Sequence, residues 1–285
     1  MSFAAQKPAL APNRSIVRKA RGMPTQDGAG VKLTRLIGTP NLPDLDPFLM
    51  LDTFRSDNPE DYVAGFPEHP HRGFETLSYM IKGSIAHADN HGGKGLVTDG
   101  GVQWMTAGRG VAHSEMPAQT DGQLFGFQLW INLPAAEKMR EPWYADISAS
   151  AIPEFEVDGA QVKLIAGEWN GRKGPAPERA TQPLIADVTL TANANIEVPI
   201  LRSHAGFVYV FEGEVLVGGQ GLRSGEVGVL SDGGGLQVSA PGAGARFLVI
   251  AGKPIREPVA KYGPFVMNTV DEIRAAISDY QSGKF

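Results

Sequence analysis

No cysteine occurs at any of the 285 positions. That excludes a disulfide scaffold, thiolate zinc, Fe–S ligation and a cysteine nucleophile. Long apolar runs are also missing. The longest uncharged stretch, Gly122 to Ala136, is broken by Gln, Asn, Gly and Pro, so no membrane-spanning helix is expected. Basic clusters are absent too: 26 Lys and Arg stand against 31 Asp and Glu, a net charge of −5. A nucleic-acid surface is therefore not expected. Met1 to Arg14 has no continuous apolar core followed by a cleavage site, which predicts no signal peptide and a cytoplasmic protein. Short catalytic signatures fail as well. Gly108-Arg109-Gly110 lacks the third glycine and the βαβ setting of a dinucleotide fingerprint. The Gly-rich turn at His91 has no Walker spacing, and no Gly-x-Ser-x-Gly elbow is present.

What remains is an ordinary globular composition, 42% apolar and 20% charged, with 35 glycines and 21 prolines. Abundant turn residues suit many short strands. At roughly 150 residues per domain the length implies two domains. Apolar alternation predicts strands at Val31–Leu33, Phe48–Phe54, Phe74–Ile81, Val102–Met105 and Leu124–Leu133. Pro134 to Pro153 reads as a linker with a short helix at Ala135–Arg140. Strands resume at Val162–Trp169, Leu184–Thr191, Phe207–Val217, Leu236–Ser239 and Phe247–Ala251. Thr269-Val270-Asp271-Glu272 has the form of a capping box, and Val270, Ile273, Ile277 and Tyr280 follow helical spacing. One C-terminal helix ending near Gly283 is expected. Evenly spaced strands of this kind predict a sandwich or barrel.

The halves resemble each other weakly. Tyr79-Met80-Ile81-Lys82-Gly83 parallels Tyr209-Val210-Phe211-Glu212-Gly213, and Gly100-Gly101-Val102 parallels Gly225-Glu226-Val227. The sequence offsets place Pro199 and Leu201 opposite His69 and His71, and Val238 and Ala240 opposite His113 and Glu115. None of those four can ligate a metal through its side chain.

Five of the six histidines lie between residues 69 and 113. His69-Pro70-His71 and His113-Ser114-Glu115 each place two side chains on one face of a strand. If the two strands are neighbours, three imidazoles and one carboxylate converge. That donor set suits Fe(II), Mn(II), Ni(II), Cu(II) or Zn(II), with open positions left over. Glu75 is expected either to orient an imidazole or to be solvated, and His87 and His91 to be surface histidines. Trp104, Phe125, Phe127 and Trp130 read as core, with some lining a barrel mouth.

The block His69-Pro70-His71-Arg72-Gly73-Phe74-Glu75-Thr76 resembles the signature of pirins, which are two-domain cupins. Gln103 to Pro117 and Tyr262 to Thr269 continue the resemblance. It implies an all-β fold of two facing jelly-roll barrels of cupin type with a short C-terminal helix. The expected division is a metal-binding domain over residues 1–140 and a domain without metal ligands over residues 141–285. The resemblance also implies a metal held by His69, His71, His113 and Glu115, most simply Fe(II). It further implies quercetin 2,3-dioxygenase activity, in which O₂ opens a flavonol with release of carbon monoxide. Glu115 is expected to serve as ligand and as base. The alternative is a non-enzymatic iron-binding regulator with a protein partner. The implied partners are otherwise a small aromatic substrate and O₂, with neither nucleic acid nor membrane.

Overall fold

A computed structural model describes residues 13–285. Most of the segment read above for a leader, residues 1–12, lies outside the described residues. The first barrel contains a seven-stranded antiparallel sheet. Its spatial order is Trp143–Ile147, Val102–Thr106, Phe74–Lys82, Leu124–Asn132, Phe48–Ser56, Val31–Ile37 and Met23–Asp27. A four-stranded sheet closes it, in the order Phe66–His71, Val111–Pro117, Ile85–Asp89 and Lys94–Val97.

The second barrel repeats the arrangement. Its large sheet runs Ile16–Arg21, Glu226–Leu230, Ala205–Val217, Ala245–Gly252, Leu184–Leu190, Ala160–Ala166 and Glu154–Val157. The repeat is exact where the sequence hinted at it: Tyr79 pairs with Val102, and Tyr209 pairs with Val227.

The two large sheets pack face to face. Leu77, Tyr79, Trp104, Phe125, Phe127 and Leu129 of the first meet Ile185, Phe207, Tyr209, Phe211 and Leu248 of the second in one buried cluster. Aromatic edge-to-face contacts cross this interface, as between Phe127 and Tyr209 at 5.9 Å. Such pairs add about 0.5–1.5 kcal/mol beyond area burial. Trp104, Phe125 and Phe127 are thus core, as their pattern suggested.

The sheets do not change over at residue 140. Ile16–Arg21 pairs with Glu226–Leu230 of the second barrel, and Trp143–Ile147 pairs with Val102–Thr106 of the first. Each large sheet therefore has an edge covered by a strand from outside its own run of chain, which removes an exposed row of backbone donors and acceptors. The expected linker accordingly holds a strand, and its helix is only a single 3-10 turn at Ala135–Glu137.

The C-terminal segment returns to the first barrel. Helix α1, Val270–Gln281, begins with the expected capping box: Thr269 accepts from the Glu272 backbone, and the Glu272 side chain accepts from Thr269. Its partner strand Phe265–Met267 lies against the loop after His71, with Arg72 bridged to Phe265. The buried ammonium of Lys138 clips this junction, donating to the Gly73 carbonyl (2.8 Å), Asn132 Oδ1 (2.7 Å) and the Val266 carbonyl (3.0 Å). Among the described residues no helix is long and apolar enough to cross a membrane.

Candidate metal centre

Phe66–His71 and Val111–Pro117 are adjacent antiparallel strands, and His69 lies directly opposite His113. His71 is two residues along and therefore on the same face. The register thus brings three imidazoles together. One nitrogen from each of His69, His71 and His113 lies within 4.8 Å of the others. Ring centroids are separated by 4.7, 4.5 and 5.0 Å, and the rings are steeply inclined to one another. Inclined rings aim edges, where the lone pairs are, rather than faces.

The backbone makes this register achievable. Gly73 has φ +88°, and a Cβ there would sit 2.0 Å from the Val266 carbonyl oxygen. Only glycine permits both the turn and the close approach of the C-terminal segment. Arg72, buried between them, donates to the Arg109 carbonyl and to Asp279, with its guanidinium over the Phe285 ring.

The donor chemistry fits a metal. His71 Nδ1 and His113 Nε2 are buried without a hydrogen-bond partner, a costly state that a cation would relieve. Burial holds the His71 imidazole well below its ordinary pKa, assisted by His113 and His69. Burial also pushes His113 down to about 4. Both are therefore unprotonated near neutrality, with lone pairs available. His69 Nδ1 is 2.8 Å from the Pro67 carbonyl, which as a donor contact fixes the ring and leaves Nε2 for ligation.

Glu115 shares the strand and the inward face with His113, but its carboxylate lies outside the 4.8 Å group. Its oxygens accept from Ser78 Oγ (3.0 Å) and Gln128 Nε2 (2.8 Å). Neither donor was signalled by the histidine motifs. Gln128 was hidden in an aromatic-rich strand that read simply as core.

Two expectations need correction. Glu75 neither orients an imidazole nor meets solvent. It faces the other barrel, fully buried, accepting from Thr106 (2.6 Å) and paired with Arg179 Nε at 3.2 Å. Burial pushes its carboxyl up, opposed by Arg179 and Thr106. Its strand parity explains this: Phe74 packs inward on His71, so its neighbour points outward. His87 is likewise not on the surface. It is 5% exposed, directly across the ladder from Glu115 and so on the same inward face, with Nε2 2.9 Å from Asp146. Asp146 lies in the strand hidden within the expected linker. His91 is exposed.

Ladder partners place a polar row straight across the inner face of the large sheet: Arg35, Asp52, Gln128, Ser78, Gln103 and Asp146. Arg35 holds Asp52 through Nε (2.9 Å) and Nη2 (2.7 Å). A cleft of about 730 Å³ opens onto this region. His69, His71, Gln128, Trp130, Met50, Phe66, Arg35 and, from the C-terminal segment, Lys261 and Pro264 line it. Trp130 packs on His71 at 5.3 Å.

The Pirin family model matches residues 30–131, and that of the Pirin C-terminal cupin domain matches residues 185–285. The chain belongs to the pirin family. A pirin-like protein of Caulobacter vibrioides is 45% identical over 276 residues, covering 96% of this chain and all of its own. Human pirin is 42% identical, covering 90% of this chain and 89% of its own. The crystal structure of quercetin 2,3-dioxygenase from Acinetobacter baumannii superposes with a TM-score of 0.89 at 34% identity, covering 96% and 99% of the two chains. The bicupin architecture of this pirin is thereby shared with solved structures.

The second barrel of this pirin has no comparable group among the described residues. Val238 and Ala240 are buried in its core. The ladder partner of Val238 is Ile196, however, while Leu201 is 60% exposed. A loop-length difference displaces the offset on that strand.

Proposed function

We propose that this pirin is a metal-dependent dioxygenase of the quercetin 2,3-dioxygenase type, acting on flavonols with O₂. One divalent metal, most simply Fe(II), would be held by His69, His71 and His113, with Glu115 as the fourth ligand. Mn, Ni, Cu and Zn suit the same donors. The bound metal would supply Lewis-acid and redox chemistry toward a flavonol hydroxyl and O₂. The observation that carries the reading is the cleft that leads from solvent to His69 and His71. A regulator needs only a metal-sensitive surface, whereas an enzyme needs this access.

The protein's own groups have separable tasks. Trp130, Met50 and Phe66 offer an apolar wall to an aromatic substrate. Glu115 is the base: a ligating imidazole has no spare lone pair, while a carboxylate can accept the substrate's hydroxyl proton. Ser78 and Gln128 fix the direction of that carboxylate.

The test is O₂ consumption by Fe(II)-loaded protein across a panel of flavonols, with bound metal measured in the same samples. Wild type is expected to turn over. Glu115→Gln is expected to keep part of its metal yet lose about 10²–10⁴-fold in turnover per metal. Equal turnover per metal would remove Glu115 as base. Absence of turnover on every flavonol would favour the iron-binding regulator.

A further inference from the structure

We propose that Arg35 is the specificity-determining residue of the cleft, selecting multi-ring aromatics with hydroxyl or phenolate groups far from the reacting hydroxyl. The inference rests on the cleft being the substrate site. Arg35 lines the same cleft as His69 and His71. Its Nε and Nη2 are committed to Asp52, and Nη2 also reaches Asp27 at 3.0 Å. Nη1 has no hydrogen-bond partner among the described residues, so one arm of the fork remains for a ligand oxygen. A guanidinium presents rigid, directional donors that match phenolate and carboxylate oxygens. Asp52, 3% exposed, holds the fork in place, so little side-chain freedom remains to be lost on binding.

The polar row sets the reach. Asp52 pairs with Gln128, and Gln128 with Ser78. The fork is held at Asp52, while the Glu115 carboxylate is held between Gln128, one strand away, and Ser78, two strands away, an anchor spacing of roughly 5–10 Å at about 4.8 Å per strand. A single catechol ring carries its two hydroxyls on adjacent carbons and has no second oxygen at that distance. A fused bicycle with a pendant ring spans both anchors, with Trp130 and Met50 against its faces. The second barrel supplies the internal control: the ladder positions of Arg35 and Asp52 correspond there to Leu164 and Ala186, both fully buried.

The experiment measures anaerobic binding of quercetin, and of 3-hydroxyflavone, whose only hydroxyl is the reacting one, to metal-loaded protein by quenching of tryptophan fluorescence. O₂ consumption is recorded separately. Two variants are compared with wild type. Arg35→Lys keeps a cation beside Asp52 but removes the fork. Arg35→Leu combined with Asp52→Ala copies the second barrel and leaves no buried charge unpaired. The quercetin-to-3-hydroxyflavone affinity ratio is expected to fall about 10- to 100-fold in both, the scale of one hydrogen bond to a charged group. An unchanged ratio, or no binding of either flavonol to wild type, overturns the assignment. A collapsed ratio without O₂ consumption upholds Arg35 and overturns the dioxygenase reading. O₂ consumption with an unchanged ratio does the reverse.

Discussion

The two barrels share one strand order and one register, yet their inner faces are chemically opposite. Across the first runs Arg35–Asp52–Gln128–Ser78–Gln103. The equivalent ladder in the second runs Leu164–Ala186–Val249–Val208–Gly228. Leu164, Ala186, Val249 and Val208 of that row belong to a continuous apolar core with Val162, Val210, Val238 and Phe247. Each such side chain contributes about 1.5–3 kcal/mol when fully buried. The first barrel forgoes that contribution. It fills the same volume with groups that must be paired, and leaves His71 Nδ1, His113 Nε2 and Gln103 Nε2 without partners. A fold tolerates such a face when another face supplies the stability. Here that face is the aromatic interface between the sheets, together with the second core. The difference between the barrels is therefore a division of labour between site and scaffold.

The largest expected effect tests where the metal goes. Purified protein should carry about one metal per chain, all of it in the first barrel. Loss of an outer-sphere partner typically costs 10–100-fold in metal affinity, so loss of a ligand should exceed about 100-fold. His71→Ala should accordingly lose most of its metal while its far-ultraviolet circular dichroism is kept, because a core of this size does not depend on one ion. Elemental analysis giving two equivalents in wild type, or full occupancy in the variant, would break the comparison.

A reciprocal exchange sharpens it with smaller effects. Ser78 and Val208 occupy the same ladder position. Val208→Ser buries a hydroxyl among aliphatic side chains with nothing prepared to receive it, a cost of about 1–3 kcal/mol. Metal content should not move. Ser78→Val removes one donor from Glu115, which keeps Gln128. Its stability should change less, while turnover per metal falls. Denaturant titration of both variants is the measurement, and equal stability costs would mean that the two rows are not specialised as described.

The architecture was readable in the sequence because it rests on local signals. Alternation and turn glycines gave the long central strands, and Thr269 with Glu272 gave the helix start. The histidine cluster was readable because strand parity alone puts His69 and His71 on one face. What stayed hidden depends on which strands become neighbours. Ile16–Arg21 and Trp143–Ile147 are edge strands with few buried residues, so their periodicity is weak. The roles of Gln128, Ser78 and Arg35 emerge only from cross-strand register. Glu75 could be read toward the site or away from it until Phe74 was seen to point inward, and its partner Arg179 is more than a hundred residues away.

The smallest effect concerns the one histidine of the second half. His204 is 3% exposed, and neither ring nitrogen has a hydrogen-bond partner. Its backbone N–H donates to the Leu201 carbonyl (2.9 Å), which also accepts from Arg14 Nη2 (2.8 Å). Burial lowers its pKa, and the charges of Arg14 and Lys253 lower it further. In the first barrel, three imidazoles converge as candidate ligands. Here a single imidazole is buried, and two cations oppose its protonation. The folded-state pKa lies below the unfolded value of about 6.5, so as pH falls the unfolded chain takes up its proton first. The contribution of His204 to stability is therefore complete above about pH 6.5 and declines as pH falls toward the folded-state pKa, with a slope of at most about 1.4 kcal/mol per pH unit. His204→Leu removes this proton from both states. Denaturant titrations of wild type and variant between pH 7.5 and 5.5, at fixed metal content, cancel the histidines of the first barrel by subtraction. The wild-type curve should fall more steeply than that of the variant. Parallel curves would show that His204 exchanges its proton as freely in the fold as out of it, and that the second barrel tolerates a charge where its packing argues against one.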